Sequence, residues 1–310
     1  MSRFLLAACL LVFCVFLSPA KAKEINTISH ELRHPEHKMA PVEQLCNEVG
    51  HKLRSVSELS CVSAGMTVSR RTSVSGRVIG MKEYPPLADK TPQARILLIG
   101  GIHGDELSSV SIVFHWMHIL NQYHSGLFHW HVLPLLNPDG LLQQPSTRVN
   151  AHGVDLNRNF NTPDWLHASQ QYWQKNTHQD PRRYPGAAPL SEPESLLLAE
   201  EIADFKPHAI VSVHAPFGVL DFDGPPAGPS SLGQLHVQLL GTYPGSLGKF
   251  AGEQLKIPVI TIELPHAGIM PDQLEQSRIW MDLIRWLKIH IPKQETLLTM
   301  QQRDINSDNR

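Results

Sequence analysis

The chain has 310 residues, of which 42% are hydrophobic and 18% charged, with 27 Lys and Arg against 29 Asp and Glu. This balance gives a formal net charge of −2 and excludes the broad cationic surface that nucleic-acid binding requires, so we expect no nucleic acid partner. The length suits one large α/β domain with a small N-terminal extension, and no repeat or signal of oligomeric state is visible.

Residues 1–22 have the pattern of a secretory signal peptide. Arg3 gives a basic start, residues 4–17 are apolar, and Ser-Pro-Ala-Lys-Ala at 18–22 offers an Ala-x-Ala cleavage site. About fourteen apolar residues fall short of the roughly twenty that span a bilayer, which favours cleavage over an uncleaved anchor. We therefore expect an exported, periplasmic protein that has no membrane association once the signal is removed.

Cleavage leaves Cys46 and Cys61 as the cysteines of the mature chain. In an oxidising compartment these two thiols are expected to form a disulfide that closes a loop of about fifteen residues. The alternative is a pair of buried free thiols. Neither cysteine belongs to a Cys-x-x-Cys pair, which argues against a structural zinc site.

Residues 23–90 are predicted to form an accessory segment that precedes the main domain. Their pattern predicts a helix over 42–53, which carries Cys46, and strands over 66–70 and 76–81.

The main domain is predicted over residues 91–293, followed by a polar, flexible tail over 294–310. Strands and helices alternate through the domain, apart from a loop-rich stretch that begins with turn residues at 137–140 and ends at Pro189. The helix after this stretch is predicted to start with a capping box, Ser191-x-x-Glu194. The alternation predicts an α/β fold: a mixed, mostly parallel twisted sheet with helices on both faces. The predicted strands are 96–102, 129–136, 209–213 and 259–262, and the predicted helices are 107–123, 191–205 and 273–290.

Residues that can do chemistry follow three of these strands. His103 and Glu106 come after the first strand, His214 ends the third and Glu263 ends the fourth. Functional residues of such sheets gather beyond the carboxyl ends of the strands. An imidazole and a carboxylate three residues apart can share one Zn²⁺, although His-x-x-Glu alone also fits a solvated turn.

Further motifs follow His103 in a specific order. They are Asn-Pro-Asp-Gly at 137–140, Arg148, Gly-Val-Asp-Leu-Asn-Arg-Asn-Phe at 153–160, Ser-Val-His at 212–214 and Ile-Glu-Leu at 262–264. This series resembles the zinc carboxypeptidase family over about residues 96–286. Within the family, the stretches at 214–218, 221–225 and 241–248 look most like the murein peptide amidases. Those enzymes cleave the γ-D-glutamyl to meso-diaminopimelate bond of cell-wall peptides.

The resemblance implies one Zn²⁺ per chain, bound by His103, Glu106 and His214 with a coordination position left for water. It implies Glu263 as the general base and acid, and Arg148 as the cation that stabilises the oxyanion. Hydrolysis would then proceed in one step through a zinc-activated water, without an acyl-enzyme.

The resemblance also implies how substrate is held. Asn157 and Arg158 match the family's pair that binds a substrate carboxylate, a role that suits the two parallel N–H donors of a guanidinium. Asp155 is expected to brace either the loop or a zinc-binding imidazole. Tyr243 resembles in placement the mobile tyrosine that covers the carboxypeptidase site, and packing beside Pro244 is the alternative.

These expectations describe a zinc metallopeptidase that acts on murein peptides. The alternatives are a general metallocarboxypeptidase, an N-acyl amino acid deacylase, and a non-catalytic wall-binding protein, although the last should have lost a ligand or the base. Asp221 and Asp223 could contact a substrate amino group, but a solvated acidic loop is the simpler interpretation. For the basic pair Arg182-Arg183, solvated surface charges are likewise the simpler interpretation.

Overall fold

The computed structural model describes residues 39–291. The predicted signal peptide, the start of the predicted accessory segment and the predicted tail lie outside the described residues. None of the helices in this range combines the length and the apolar character that a membrane-crossing helix needs.

The described residues form nine strands, seven α-helices, two 3-10 turns and a π-helical segment over Gly248–Gln254. The strands are β1 (Thr67–Thr72), β2 (Val78–Tyr84), β3 (Ala94–Ile99), β4 (Phe128–Leu133), β5 (Ala209–His214), β6 (Val219–Asp223), β7 (Ser231–Leu232), β8 (Leu235–His236) and β9 (Val259–Glu263). The helices are α1 (Pro41–Lys52), α2 (Glu58–Ser63), α3 (Leu107–Tyr123), α4 (Pro138–Leu142), α5 (Trp165–Lys175), α6 (Pro193–Phe205) and α7 (Gln273–His290).

Seven strands make one mixed sheet in the order β1-β2-β4-β3-β5-β9-β6. The central strands β4, β3, β5 and β9 are parallel to one another, whereas β2 and β6 run antiparallel to their neighbours. All six residues of β5 are buried, as expected for a parallel strand that is covered on both faces. The predicted mixed, mostly parallel sheet is confirmed.

Helices cover both faces of this sheet and form two apolar cores. On one face, α3 and α7 contribute Trp116 and Leu283. On the other, α6 contributes Leu198 and Ile202. The sheet is therefore packed on both faces, with its strand ends held between two apolar layers.

Some elements differ from the prediction. Helix α3 spans the predicted residues, but α5 lies in the stretch predicted as loop, and β6 was not predicted. The predicted capping box is wrong: Glu192 is the N-cap of α6, and the Ser191 hydroxyl donates to the carboxylate of Glu192 instead. Glu194 is not free to close a box, because its carboxylate accepts hydrogen bonds from Val74 and Asn150.

The predicted disulfide is confirmed: Cys46 in α1 is bonded to Cys61 in α2, with their Cα atoms 5.3 Å apart. Two strands of the predicted accessory segment, β1 and β2, continue the main sheet, since β2 pairs with β4.

Candidate active site

The candidate site lies where three parallel strands end. The chain leaves β3 through His103 and reaches Glu106, the N-cap residue of α3. Strand β5 ends at His214 and β9 ends at Glu263, and these two residues are register partners. The predicted convergence of the strand ends is therefore present.

Three buried side chains form a compact donor cluster. His103 Nδ1 lies 2.8 Å from one Glu106 oxygen, and His214 Nδ1 lies 3.0 Å from the other. The two Nδ1 atoms are 3.2 Å apart. Ligand atoms of tetrahedral zinc with bonds of about 2.0–2.1 Å are separated by roughly 3.3 Å, so this donor set fits a zinc ion in both chemistry and spacing.

The outer nitrogen of each imidazole is also engaged. His103 Nε2 lies 3.1 Å from Asp155 Oδ1, and His214 Nε2 lies 3.0 Å from the Ser212 hydroxyl. A partner on Nε2 fixes the ring orientation and favours the tautomer whose Nδ1 lone pair faces the cluster. The geometry matches the bracing role that the sequence suggested for Asp155.

Charges around the cluster compensate one another. Burial alone would raise the pKa of Glu106, but the charges and hydrogen bonds of His103 and His214 outweigh it and lower that pKa. Burial likewise opposes ionisation of Asp155, and the Arg148 charge is the main factor that holds its pKa well below the ordinary value. Arg148 donates to Asp155 over 3.0 Å and to Glu106 over 3.4 Å. The surroundings therefore keep the Glu106 and Asp155 carboxylates ionised.

Glu263 is a buried carboxylate of the site with one oxygen left unpaired. It is 7% exposed, and its Oε2 is buried with no hydrogen-bond partner among residues 39–291. Burial raises the pKa of Glu263, and the neighbouring charge of His214 opposes that rise. A carboxylate in such surroundings is suited to accepting and returning a proton near neutral pH.

One cavity of about 280 Å³ brings all the predicted site residues together. Its lining includes His103, Glu106, Arg148, Asn157, Arg158, His214, Tyr243 and Glu263.

Arg158 and Asn157 lie side by side in this cavity. The Arg158 guanidinium donates to the Asn157 carbonyl over 2.6 Å, while its buried Nε has no partner within the described range. Burial lowers the pKa of Arg158, although a guanidinium stays charged at neutral pH. Asn157 Oδ1 accepts from the Leu247 amide, which leaves its NH₂ group available as a donor. Both side chains can therefore donate to an anionic ligand.

Tyr243 packs beside these donors. Its ring lies 4.5 Å from the Arg158 guanidinium carbon, and its hydroxyl donates to the Leu240 carbonyl over 3.2 Å. Tyr172 contacts the same ring edge-on at 5.6 Å. Tyr243 is thus a wall of the cavity, and its predicted role as a mobile cover stays a prediction.

The cavity also contains charges for which the sequence favoured a solvated surface position. Arg183 and Asp223 line it together with Asp221, which is 5% exposed. Burial, followed by the charges of Asp221 and Glu253, raises the pKa of Asp223 to about 7. A side chain at Gly248 would overlap the Asp223 carboxylate. These three charges were visible in the sequence, but nothing there showed that Asp221, Asp223 and Arg183 face one cavity.

Together, the imidazole and carboxylate cluster, the free oxygen of Glu263 and the buried arginines define a metal-dependent hydrolase of α/β fold. The sequence model of the zinc carboxypeptidase family matches residues 51–220, and the chain belongs to this family.

Similar proteins agree with this assignment. Murein peptide amidase A of Escherichia coli K12 is 32% identical over 203 residues, which cover 61% of this chain and 79% of that protein. The crystal structure of murein-tripeptide amidase from Escherichia coli O157 aligns with a TM-score of 0.50 and 26% identity, covering 71% of this chain and 90% of that one. Carboxypeptidase A from Helicoverpa armigera shares the fold, with a TM-score of 0.56 at 17% identity over 78% of this chain and 69% of its own.

Proposed function

We propose that this protein hydrolyses the γ-D-glutamyl to meso-diaminopimelate bond of murein peptides, with one zinc ion bound by His103, Glu106 and His214. The observation that carries the proposal is that one cavity combines this donor cluster with both arginine and aspartate side chains. The murein substrate of the similar amidases supports the same choice.

The chemistry follows from what surrounds the donor cluster. When bound, zinc supplies an acidified water and a Lewis acid for the scissile carbonyl. Glu263 accepts the proton of the attacking water and returns it to the leaving amine, since its free Oε2 faces no competing donor among the described residues. Arg148 donates to Asp155 through Nε and to Glu106 through Nη1. The remaining N–H groups of its guanidinium can stabilise the developing oxyanion.

The charges in the cavity match the leaving residue. Diaminopimelate carries one carboxylate beside the scissile amide, and its side chain ends in an ammonium and a second carboxylate. Arg158 and Asn157 are suited to the first carboxylate, because both can donate to it. Asp223 offers a negative charge for the ammonium, and Arg183 offers a positive charge for the far carboxylate. An ordinary apolar C-terminal residue would leave Asp223 and Arg183 without a charged partner in the cavity.

We infer that the protein works outside the cytoplasm, in the periplasm. The Cys46–Cys61 bond supports this location, because disulfides persist in oxidising compartments and are rare in the cytosol. The signal-peptide pattern of residues 1–22 agrees with it.

A set of three tripeptides tests the substrate. All begin with L-Ala-γ-D-Glu, and the third residue is meso-diaminopimelate, lysine or norleucine, so the far carboxylate and then the ammonium are removed stepwise. We expect kcat/KM to fall at each step, with Ala-Glu released as the product seen by mass spectrometry.

Other outcomes would assign other functions. Equal rates on the three peptides and on α-linked peptides would indicate a general carboxypeptidase, and cleavage of N-acyl amino acids alone would indicate a deacylase. Binding of the peptides by zinc-loaded protein without turnover would indicate a wall-binding protein.

A further inference from the structure

A second cluster of metal-binding side chains lies on the sheet away from the active-site cavity. His129 and His131 are two residues apart on β4, so their side chains share one face. Glu83 on the antiparallel strand β2 is the register partner of His131. The Glu83 carboxylate lies 2.8 Å from His129 Nε2 and 3.8 Å from His131 Nε2. One potential ligand atom from each of the three residues lies within 4.8 Å of the others.

The surroundings orient these imidazoles. His131 Nδ1 lies 2.5 Å from the carboxylate of Glu201, whose side chain is only 3% exposed. Donation from Nδ1 to a buried carboxylate leaves the Nε2 lone pair directed at Glu83 and His129, as in metal sites where a carboxylate supports a ligating histidine. Phe205 stacks on the His131 ring with centroids 3.6 Å apart and meets the His129 ring edge-on at 5.0 Å.

An ordinary ion pair does not account for the whole arrangement. Glu83 and Glu201 approach His131 from opposite ring nitrogens, so the imidazole is flanked by two carboxylates. Arg70 lies 3.6 Å from Glu201 but is shared with Asp204, its nearer partner, and Glu83 remains half-exposed at the cluster. A divalent cation between Nε2 of the two histidines and Glu83 would balance the remaining charge.

We propose that His129, His131 and Glu83 form a second metal site, which binds a divalent transition ion of the zinc or copper class. Two imidazoles and one carboxylate select such ions over Mg²⁺ or Ca²⁺, which prefer oxygen ligands. Glu201 is a positioning residue for His131. Because the ligands come from β2 and β4, the bound ion would bridge two paired, antiparallel strands of the main sheet.

The test is the zinc stoichiometry of the full chain. Protein stripped with a chelator is titrated with Zn²⁺ by calorimetry, and we expect two classes of site, one ion in each. The variant His129→Gln/His131→Gln should lose one class and keep peptide hydrolysis, whereas the control His118→Gln/His167→Gln, which removes two exposed imidazoles elsewhere, should keep both classes. A single class in the unmodified protein, or two classes in the His129→Gln/His131→Gln variant, would overturn the proposal.

Copper provides a second readout that does not depend on activity. Cu²⁺ added to protein whose first site is already filled with zinc should give an electron paramagnetic resonance spectrum with coupling to two imidazole nitrogens. Glu83→Gln, a change at an exposed position, should weaken Cu²⁺ binding at least tenfold, and Glu201→Gln should alter the coupling of one nitrogen. A spectrum without nitrogen coupling, or one unchanged in both variants, would show that these residues do not bind the ion.

Discussion

His103 and Asp155 are joined by a contact of 3.1 Å between Nε2 and Oδ1, although 52 positions separate them in the chain. Asp155 is fully buried, and its other oxygen accepts from Arg148. The loop that carries Asp155 is thereby attached to the end of β3, and the same contact sets the direction of the His103 lone pair. The loop and the donor cluster therefore form one unit.

The variant Asp155→Asn tests this coupling. Asparagine keeps the shape but removes the charge that supports His103 and pairs with Arg148, so we expect the affinity for zinc to fall about 10- to 100-fold. Competition with a chelator of known affinity measures the change. Asp89→Asn, at an exposed position, serves as the control, and equal zinc affinity in the two variants would remove Asp155 from the metal site.

The variant Glu263→Gln separates metal binding from proton transfer. Glutamine cannot accept the proton of the attacking water, so we expect kcat to fall by roughly 10²- to 10⁴-fold. Zinc content should stay the same, because the proposed ligands are elsewhere. Glu58→Gln, a change of an exposed acid in α2, should leave both quantities unchanged. Full activity in the Glu263 variant would exclude this residue as the base.

The sequence was most informative at the ends of the buried strands, where the candidate metal-binding and catalytic residues lie. Buried parallel strands give continuous apolar runs, so the positions of His103, His214 and Glu263 at their ends were predictable before any contact was known. Strand β6 was missed because it is only five residues long and two of them, Asp221 and Asp223, belong to a residue type that is rare in strands. For Asp223 and Arg183 the sequence favoured solvated charges, because the meeting of distant segments at one cavity leaves no local pattern.

The variant Arg158→Lys tests carboxylate binding. Lysine keeps the charge but loses the paired donors, and a hydrogen bond to a charged group contributes about 1.5–3 kcal/mol. We therefore expect kcat/KM for the diaminopimelate peptide to fall by roughly 10- to 100-fold. A peptide whose carboxylate beside the scissile amide is converted to an amide should be cleaved slowly and at similar rates by both proteins. A large difference between the two proteins on that amidated peptide would contradict the role.

The disulfide should contribute to stability. A closed loop of about fifteen residues corresponds to roughly 3 kcal/mol in the chain-entropy estimate, and the observed separation of Cys46 and Cys61 is 15. Cys46→Ser/Cys61→Ser should lower the free energy of unfolding by about this amount in urea titrations. Reductant should destabilise the unmodified protein and leave the double variant unchanged, and an effect on the variant would point to another cause.

Asp223 should make substrate preference depend on pH. Its pKa of about 7 results from burial and from the charges of Asp221 and Glu253, the second of which is paired with Lys249 over 3.0 Å. Protonation removes the charge proposed to face the substrate ammonium. The ratio of kcat/KM for the lysine peptide to that for the norleucine peptide should therefore decrease from pH 8 to pH 6. In Asp223→Asn the ratio should be low and independent of pH, and an unchanged pH profile would exclude Asp223 from recognition.

Asp223→Asn should also raise the stability of the protein at alkaline pH. This effect distinguishes a loss of substrate recognition from a loss of folded structure. The folded-state pKa of Asp223 lies above its ordinary value of 3.8, so ionisation opposes folding. This penalty is absent below about pH 4, grows as pH rises and is complete above about pH 7. Asn has no such penalty, so the Tm of Asp223→Asn should exceed that of the unmodified protein at pH 8 and approach it at pH 4. A variant that loses selectivity while gaining Tm at pH 8 has lost a binding charge and kept its structure, whereas a lower Tm at pH 8 would show that Asp223 supports the fold.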